Sequence, residues 1–139
     1  MIHHVKVLVV DDDPGIADVL HTFLDGKGYC VEVCRTGREA LDALAEGEFD
    51  LVVSDIVMAD VDGLRFLQEA RERHPSVGIM LMTAYEERHP LAEALRRGAD
   101  GYISKPFTLK KFSIAFEQAY WNALTRRESL LDDDLHGPS

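Results

Sequence analysis

Short β-branched runs alternate strictly with stretches whose apolar residues recur every three to four positions, and that alternation leaves few folds open. The runs cover residues 5–10, 29–34, 51–53, 78–82 and 101–104. Several are almost continuously apolar, as strands covered on both faces must be. Between them, Ile16, Val19, Leu20, Phe23 and Leu24 trace one helical stripe, which Gly26 and Gly28 stop. Thr36-Gly37-Arg38-Glu39 forms a capping box ahead of Ala40, Leu41 and Leu44. Asp62-Gly63 opens a third helix through Leu64, Leu67 and Ala70, which ends near His74-Pro75. Pro90 suits a first helical residue before Leu91, Ala94 and Leu95, with a stop at Gly98. The last pattern starts near Thr108 and carries Leu109, Phe112, Phe116, Ala119 and Ala123. The chain therefore reads as a single (βα)5 domain of the α/β class, a doubly wound parallel sheet with helices on both sides. The polar stretch from Asp132-Asp133-Asp134 to Ser139 reads as a loose tail.

A length of 139 residues suits one such domain, and a 46% hydrophobic content supports a real core. The net charge of −10 opposes direct binding of nucleic acid, whose backbone is also anionic. It favours a cation or a basic protein partner. Cys30 and Cys34 have no Cys or His pair to complete a metal set, so they read as reduced thiols. No apolar run reaches the length of a membrane span, and the first residues lack a secretory pattern. The expected location is cytoplasmic.

Acids gather where strands end. Asp11, Asp12 and Asp13 follow the first strand, and Asp55 follows the third. In an open α/β sheet, ligands bind beyond the carboxyl ends of strands, where the strand order reverses. With the order 2-1-3-4-5 that point lies between the first and third strands, and Asp11, Asp12 and Asp55 converge there. Clustered carboxylates need a cation or raised pKa values, and hard oxygens at a few positions suit Mg²⁺. Asp13, just before Pro14, reads instead as a helix N-cap. Thr83 after the fourth strand and Lys105 after the fifth point to the same crevice. A hydroxyl and an ammonium beside a carboxylate and Mg²⁺ can hold phosphoryl oxygens.

Residues 8–13, Ser54-Asp55-Ile56-Val57-Met58, Asp62-Gly63, Met82-Thr83-Ala84 and the stretch 98–107 with Lys105-Pro106 resemble the receiver-domain family of two-component response regulators. The likeness covers about residues 5 to 124, and five motifs stand in register. It implies a flavodoxin-like fold and specific roles. Asp55 would accept a phosphoryl group from the phosphohistidine of a histidine kinase or a histidine phosphotransfer protein. Asp12, Asp55 and the Val57 backbone carbonyl would ligate Mg²⁺, with Asp11 acting through a water. Lys105 and Thr83 would hold the phosphoryl oxygens, and the Lys105–Pro106 peptide is often cis in such domains. Thr83 and Tyr102 would form a switch that alters the face made by the fourth helix, fifth strand and fifth helix. Such a domain assists its own phosphorylation and dephosphorylation, so the word enzyme applies only by definition.

Met58-Ala59 departs from the family's usual Met-Pro, which leaves that loop less pre-set. Val57 and Tyr85 occupy the positions that tune hydrolysis in the family. Neither side chain positions water well, so a slowly hydrolysing acyl phosphate is expected. The first helix, around Ile16 and Leu20, is the expected docking face for the phosphodonor. The last helix runs past Arg127, and Trp121, Leu124 and Leu131 lie off its core stripe, as in a homodimer face or a lead into an effector domain. Residues 1–126 form the expected receiver, and 127–139 a helix end with a flexible tail or linker. The chain is either a stand-alone regulator or a piece of a longer one. An aspartate-nucleophile phosphohydrolase would want a threonine where Gly15 stands, and no phosphate-binding glycine-lysine loop occurs. The remaining alternative is an unphosphorylated pseudo-receiver that serves as an interaction module.

Overall fold

The structure, a computed structural model, describes residues 4–56, 63–84 and 96–136. Five parallel strands lie in the order β2-β1-β3-β4-β5. They are β1 (Lys6–Val10), β2 (Cys30–Cys34), β3 (Leu51–Asp55), β4 (Gly78–Ala84) and β5 (Gly101–Lys105). The described helices are α1 (Pro14–Gly26), α2 (Gly37–Glu46), α3 (Gly63–Arg73) and the last one, here α4 (Leu109–His136). Most of the pattern from Pro90 to Gly98 lies outside the described residues.

Alternation along each strand sorts the core into two layers. Leu8, Val10, Val52, Ile79 and Leu81 pack with Ala40 and Leu44 of α2 and Phe66, Leu67 and Ala70 of α3. Val7, Val9, Leu51, Val53, Met80 and Met82 pack with Leu20 and Leu24 of α1 and Phe112, Phe116 and Ala119 of α4. The central strands are thus buried on both sides, which explains their unbroken apolar runs. The close approach of α4 to the sheet depends on missing side chains. A Cβ on Gly101 would stand 2.7 Å from Ala119 Cβ, and one on Gly78 would meet Ala123 at 2.8 Å.

Local signals act as their chemistry dictates. Asp13 caps α1, its carboxylate accepting from the Gly15 amide at 2.9 Å. Thr36 caps α2 by accepting from the Glu39 amide at 3.1 Å, and Glu39 accepts from the Arg35 amide. Gly28 follows α1 at φ 94°, a left-handed position that suits glycine. Both cysteines are free thiols, Cys30 exposed and Cys34 buried.

Two expectations about extent change. The β3 strand runs on to Asp55, because Ser54 and Asp55 keep pairing with Leu81 and Met82 despite their polarity. The stretch expected to be a loose tail is helical as far as His136. No glycine or proline interrupts residues 107–136, and the first breakers are Gly137-Pro138.

The last helix is also tied to the sheet by a polar network at the amino ends of the strands. Asp100, 6% exposed, accepts from the Ile79 amide at 2.8 Å, from Arg71 at 3.0 Å and from Arg126 Nε at 2.9 Å. Arg126 also donates to the Pro75 and Val77 carbonyls. Arg127 donates to Ser76 O and Asp50 O, both at 2.5 Å. Asn122 donates to the Asp100 carbonyl at 2.9 Å. Arg126 and Arg127, which flank the expected boundary at residue 126, both anchor this helix.

Candidate functional site

At the carboxyl ends of the strands, the sheet order brings distant acids together. Asp11 follows β1, its amide bonded to the Cys34 carbonyl at 3.1 Å. Asp55 ends β3, paired with Met82 of β4. One carboxylate oxygen from each of Asp11, Asp12 and Asp55 falls in a group whose members all lie within 4.8 Å of one another. Asp11 is buried, Asp55 half-buried and Asp12 exposed.

Lys105, from the end of β5, reaches into this group. Its Nζ donates to Asp55 Oδ2 at 2.9 Å and to Asp11 Oδ2 at 3.1 Å. The Lys105–Pro106 peptide bond is cis. Burial alone would lower the Lys105 pKa, but the bonds to Asp55 and Asp11 outweigh it and hold the ammonium above its ordinary range. For Asp11 the balance reverses. Burial pushes its carboxyl above the usual aspartate value, although the Asp13 amide and Lys105 pull it back. Asp11 is thus an acid that the fold keeps ionisable at some cost.

Thr83 sits one residue before the end of β4 and is 1% exposed, level with Ser104 of β5. Tyr102 lies on β5 opposite Leu81 and is 43% exposed, outside both core layers. Val57, Met58, Ala59, Asp62 and Tyr85 lie outside the described residues. Asp13 spends its carboxylate on the α1 cap. The Asp100 cluster carried no legible sequence signal, because its partners stand 26 and 29 positions away.

A cluster of oxygen donors with one bridging lysine, set where the strand order reverses in a parallel α/β sheet, defines a ligand-binding domain of the doubly wound class. The model of the response regulator receiver domain matches residues 7–117. The chain belongs to that family. It is 37% identical over 116 residues to the transcriptional regulatory protein ZraR of Escherichia coli K12, covering 84% of this chain and 26% of ZraR. It is 37% identical over 135 residues to the response regulator MprA of Mycolicibacterium vanbaalenii, covering 97% of this chain and 55% of MprA. The chain therefore spans about a quarter of one relative and about half of the other. Among solved structures, a CheY-like receiver domain protein from Methanospirillum hungatei JF-1 superposes with a TM-score of 0.82 at 28% identity. That match covers 88% of this chain and 98% of the other. No described helix is long and apolar enough to cross a membrane.

Proposed function

We propose that Asp55 accepts a phosphoryl group from a phosphohistidine donor, a histidine kinase or a histidine phosphotransfer protein, in a Mg²⁺-dependent reaction. The observation that carries this reading is Lys105 Nζ bridging Asp11 and Asp55, with Asp12 alongside. The donor set fits Mg²⁺: hard carboxylate oxygens, one of them exposed to water. Two oxygens bound directly to one Mg²⁺ lie at most roughly 4.2 Å apart. The three carboxylates, within 4.8 Å of one another, are close enough to share one hydrated ion; in this reading Asp12, Asp55 and the Val57 carbonyl would ligate it directly, with a water between it and Asp11.

The residues divide the work. An Asp55 oxygen attacks phosphorus as the phosphorus–nitrogen bond of the donor breaks, and the imidazole leaves with the bonding electrons. Lys105 stands where charge develops on the transferred oxygens, and Thr83 offers a hydroxyl to the same group. A bound Mg²⁺ would supply further charge neutralisation. Thr83 then draws toward the acyl phosphate, and Tyr102, exposed before transfer, turns inward. That change reaches the face formed by β5 and α4, which controls an output, through a homodimer or an effector domain. The exposed side of α1, with Val19 51% exposed, is the docking face for the donor.

Beryllofluoride, which imitates a phosphoryl group on a carboxylate, tests this directly. With Mg²⁺ it shifts the amide resonances of Asp55, Thr83 and Lys105 in the wild type and leaves Asp55→Asn unchanged. A silent wild type would leave only the interaction-module reading.

A further inference from the structure

At the opposite end of the sheet lies a cleft of about 520 Å³. Its walls include Lys6 from β1, Phe49 and Asp50 from the turn before β3, Arg73 and His74 from the end of α3, and Arg127 from α4. The volume falls within the usual range of roughly 300–1,000 Å³ for small-molecule sites. Its charge runs against the rest of the molecule. Three permanent cations, Lys6, Arg73 and Arg127, face two carboxylates, Glu48 and Asp50, in a chain of net charge −10.

The cations are not equally occupied. Arg127 donates to Ser76 O and Asp50 O and lies 3.7 Å from the Asp50 carboxylate. Asp50 also accepts from the Lys6 amide at 2.9 Å, so its negative charge is engaged. The Lys6 ammonium sits 4.6 Å from the centre of the Phe49 ring and a loose 4.0 Å from Glu32. Arg73 and His74, by contrast, make no side-chain hydrogen bond or ion pair among the described residues. An unspent guanidinium, an imidazole and a lysine on an aromatic face together match a phosphate group in size and charge.

We propose that this cleft binds a small phosphate-bearing molecule, at a site separate from Asp55. An extended polyanion would meet the repulsion of a chain whose net charge is −10. A small anion escapes that repulsion by entering the cleft, where the cations are local and the Debye length is about 8 Å in physiological salt. Arg73 offers two parallel donors to phosphate oxygens, Lys6 a third from the facing wall, and Phe49 an apolar floor.

The test uses inorganic pyrophosphate as the probe, without Mg²⁺, on the full chain carrying Asp55→Asn, so that the carboxylate site is silent. The expected result is a saturable shift of the amide resonances of Phe49, Asp50, His74 and Val77. Arg73→Ala, at an exposed helix end, should weaken binding about tenfold, the scale of one charge-assisted pair. Glu48→Gln should tighten it, an effect that a purely structural role would not produce. Shifts that never saturate, that sodium chloride reproduces at equal ionic strength, or that ignore both substitutions overturn the proposal. Because beryllofluoride reports on Asp55 and pyrophosphate on this cleft, either reading can fail without the other.

Discussion

The two ends of the sheet both hold carboxylates beside cations, yet they are built to opposite ends. At the carboxyl edge, three aspartates face Lys105, and Asp12 is open to water. At the amino edge, Asp100 is surrounded by Arg71 and Arg126, whose other terminal donors go to the carbonyls of Pro75, Val77 and Gly98, while Arg71 Nε is buried without a partner among the described residues. The first arrangement keeps negative charge in excess and accessible, so it invites a cation and reactive chemistry. The second is buried and nearly closed on itself, so it fixes α4 against the sheet. Charge left over marks the cluster proposed to be reactive, and charge that is spent marks the Asp100 network that holds α4.

The largest effect that can break this contrast is at Asp100. Asp100→Ala strands two arginines that are only 16% and 26% exposed, and should cost about 3 kcal/mol or more in urea unfolding. The folded fraction should still answer beryllofluoride, because the acidic cluster is untouched. A loss below about 1 kcal/mol would place the network among ordinary surface pairs. Arg126→Met should cost less, roughly 2 kcal/mol, since part of that guanidinium meets solvent.

At the other end the sign reverses. Asp11 has a folded pKa raised above 3.8, chiefly by burial, so the folded chain holds this proton more tightly than the unfolded chain does. Its ionisation therefore costs stability, a loss that sets in as pH rises through the folded value. Asp11→Asn should raise the metal-free protein's stability at neutral pH by roughly 1 kcal/mol while weakening Mg²⁺ binding. Lys105 works the opposite way. Its raised pKa contributes stability below about 10.5 that disappears as pH climbs through the folded value, so alkaline unfolding of Lys105→Met should start from a lower baseline and show a flatter slope. An Asp11→Asn variant less stable than the wild type would refute the claim that this acid is kept for function.

The smallest effect lies on β2, which runs between the two ends. Burial, helped by Glu39 and Glu32, pushes the Cys34 thiol up to about 11, while Cys30 is exposed. Maleimide at mildly alkaline pH should label Cys30 and spare Cys34 until the protein unfolds. Equal labelling would mean that β2 frays from the edge of the sheet.

The legibility of each feature follows the range of the forces that make it. Strand and helix order was readable because burial on two faces writes a period into neighbouring residues such as residues 51–53 and 16–24. The acidic cluster was readable because each member stands directly at a strand end, and topology does the rest. The Asp100 network left no such trace, since nothing local to Arg71 or Arg126 distinguishes a spent guanidinium from a solvated one. The last helix was expected to pass Arg127, but its continuation over residues 132–136 was not legible, for a related reason. Polar composition suggests a loose tail, whereas the absence of any breaker before Gly137 lets a helix anchored at Arg126 and Arg127 continue to His136.

The central claim is that one carboxylate, Asp55, takes the phosphoryl group. Incubation with acetyl phosphate and Mg²⁺ followed by borohydride reduction converts an aspartyl phosphate to homoserine, which peptide mass spectrometry locates. The account predicts homoserine at position 55 and nowhere else. Homoserine at Asp11 or Asp12 instead, or none in a protein shown to bind Mg²⁺, would contradict it.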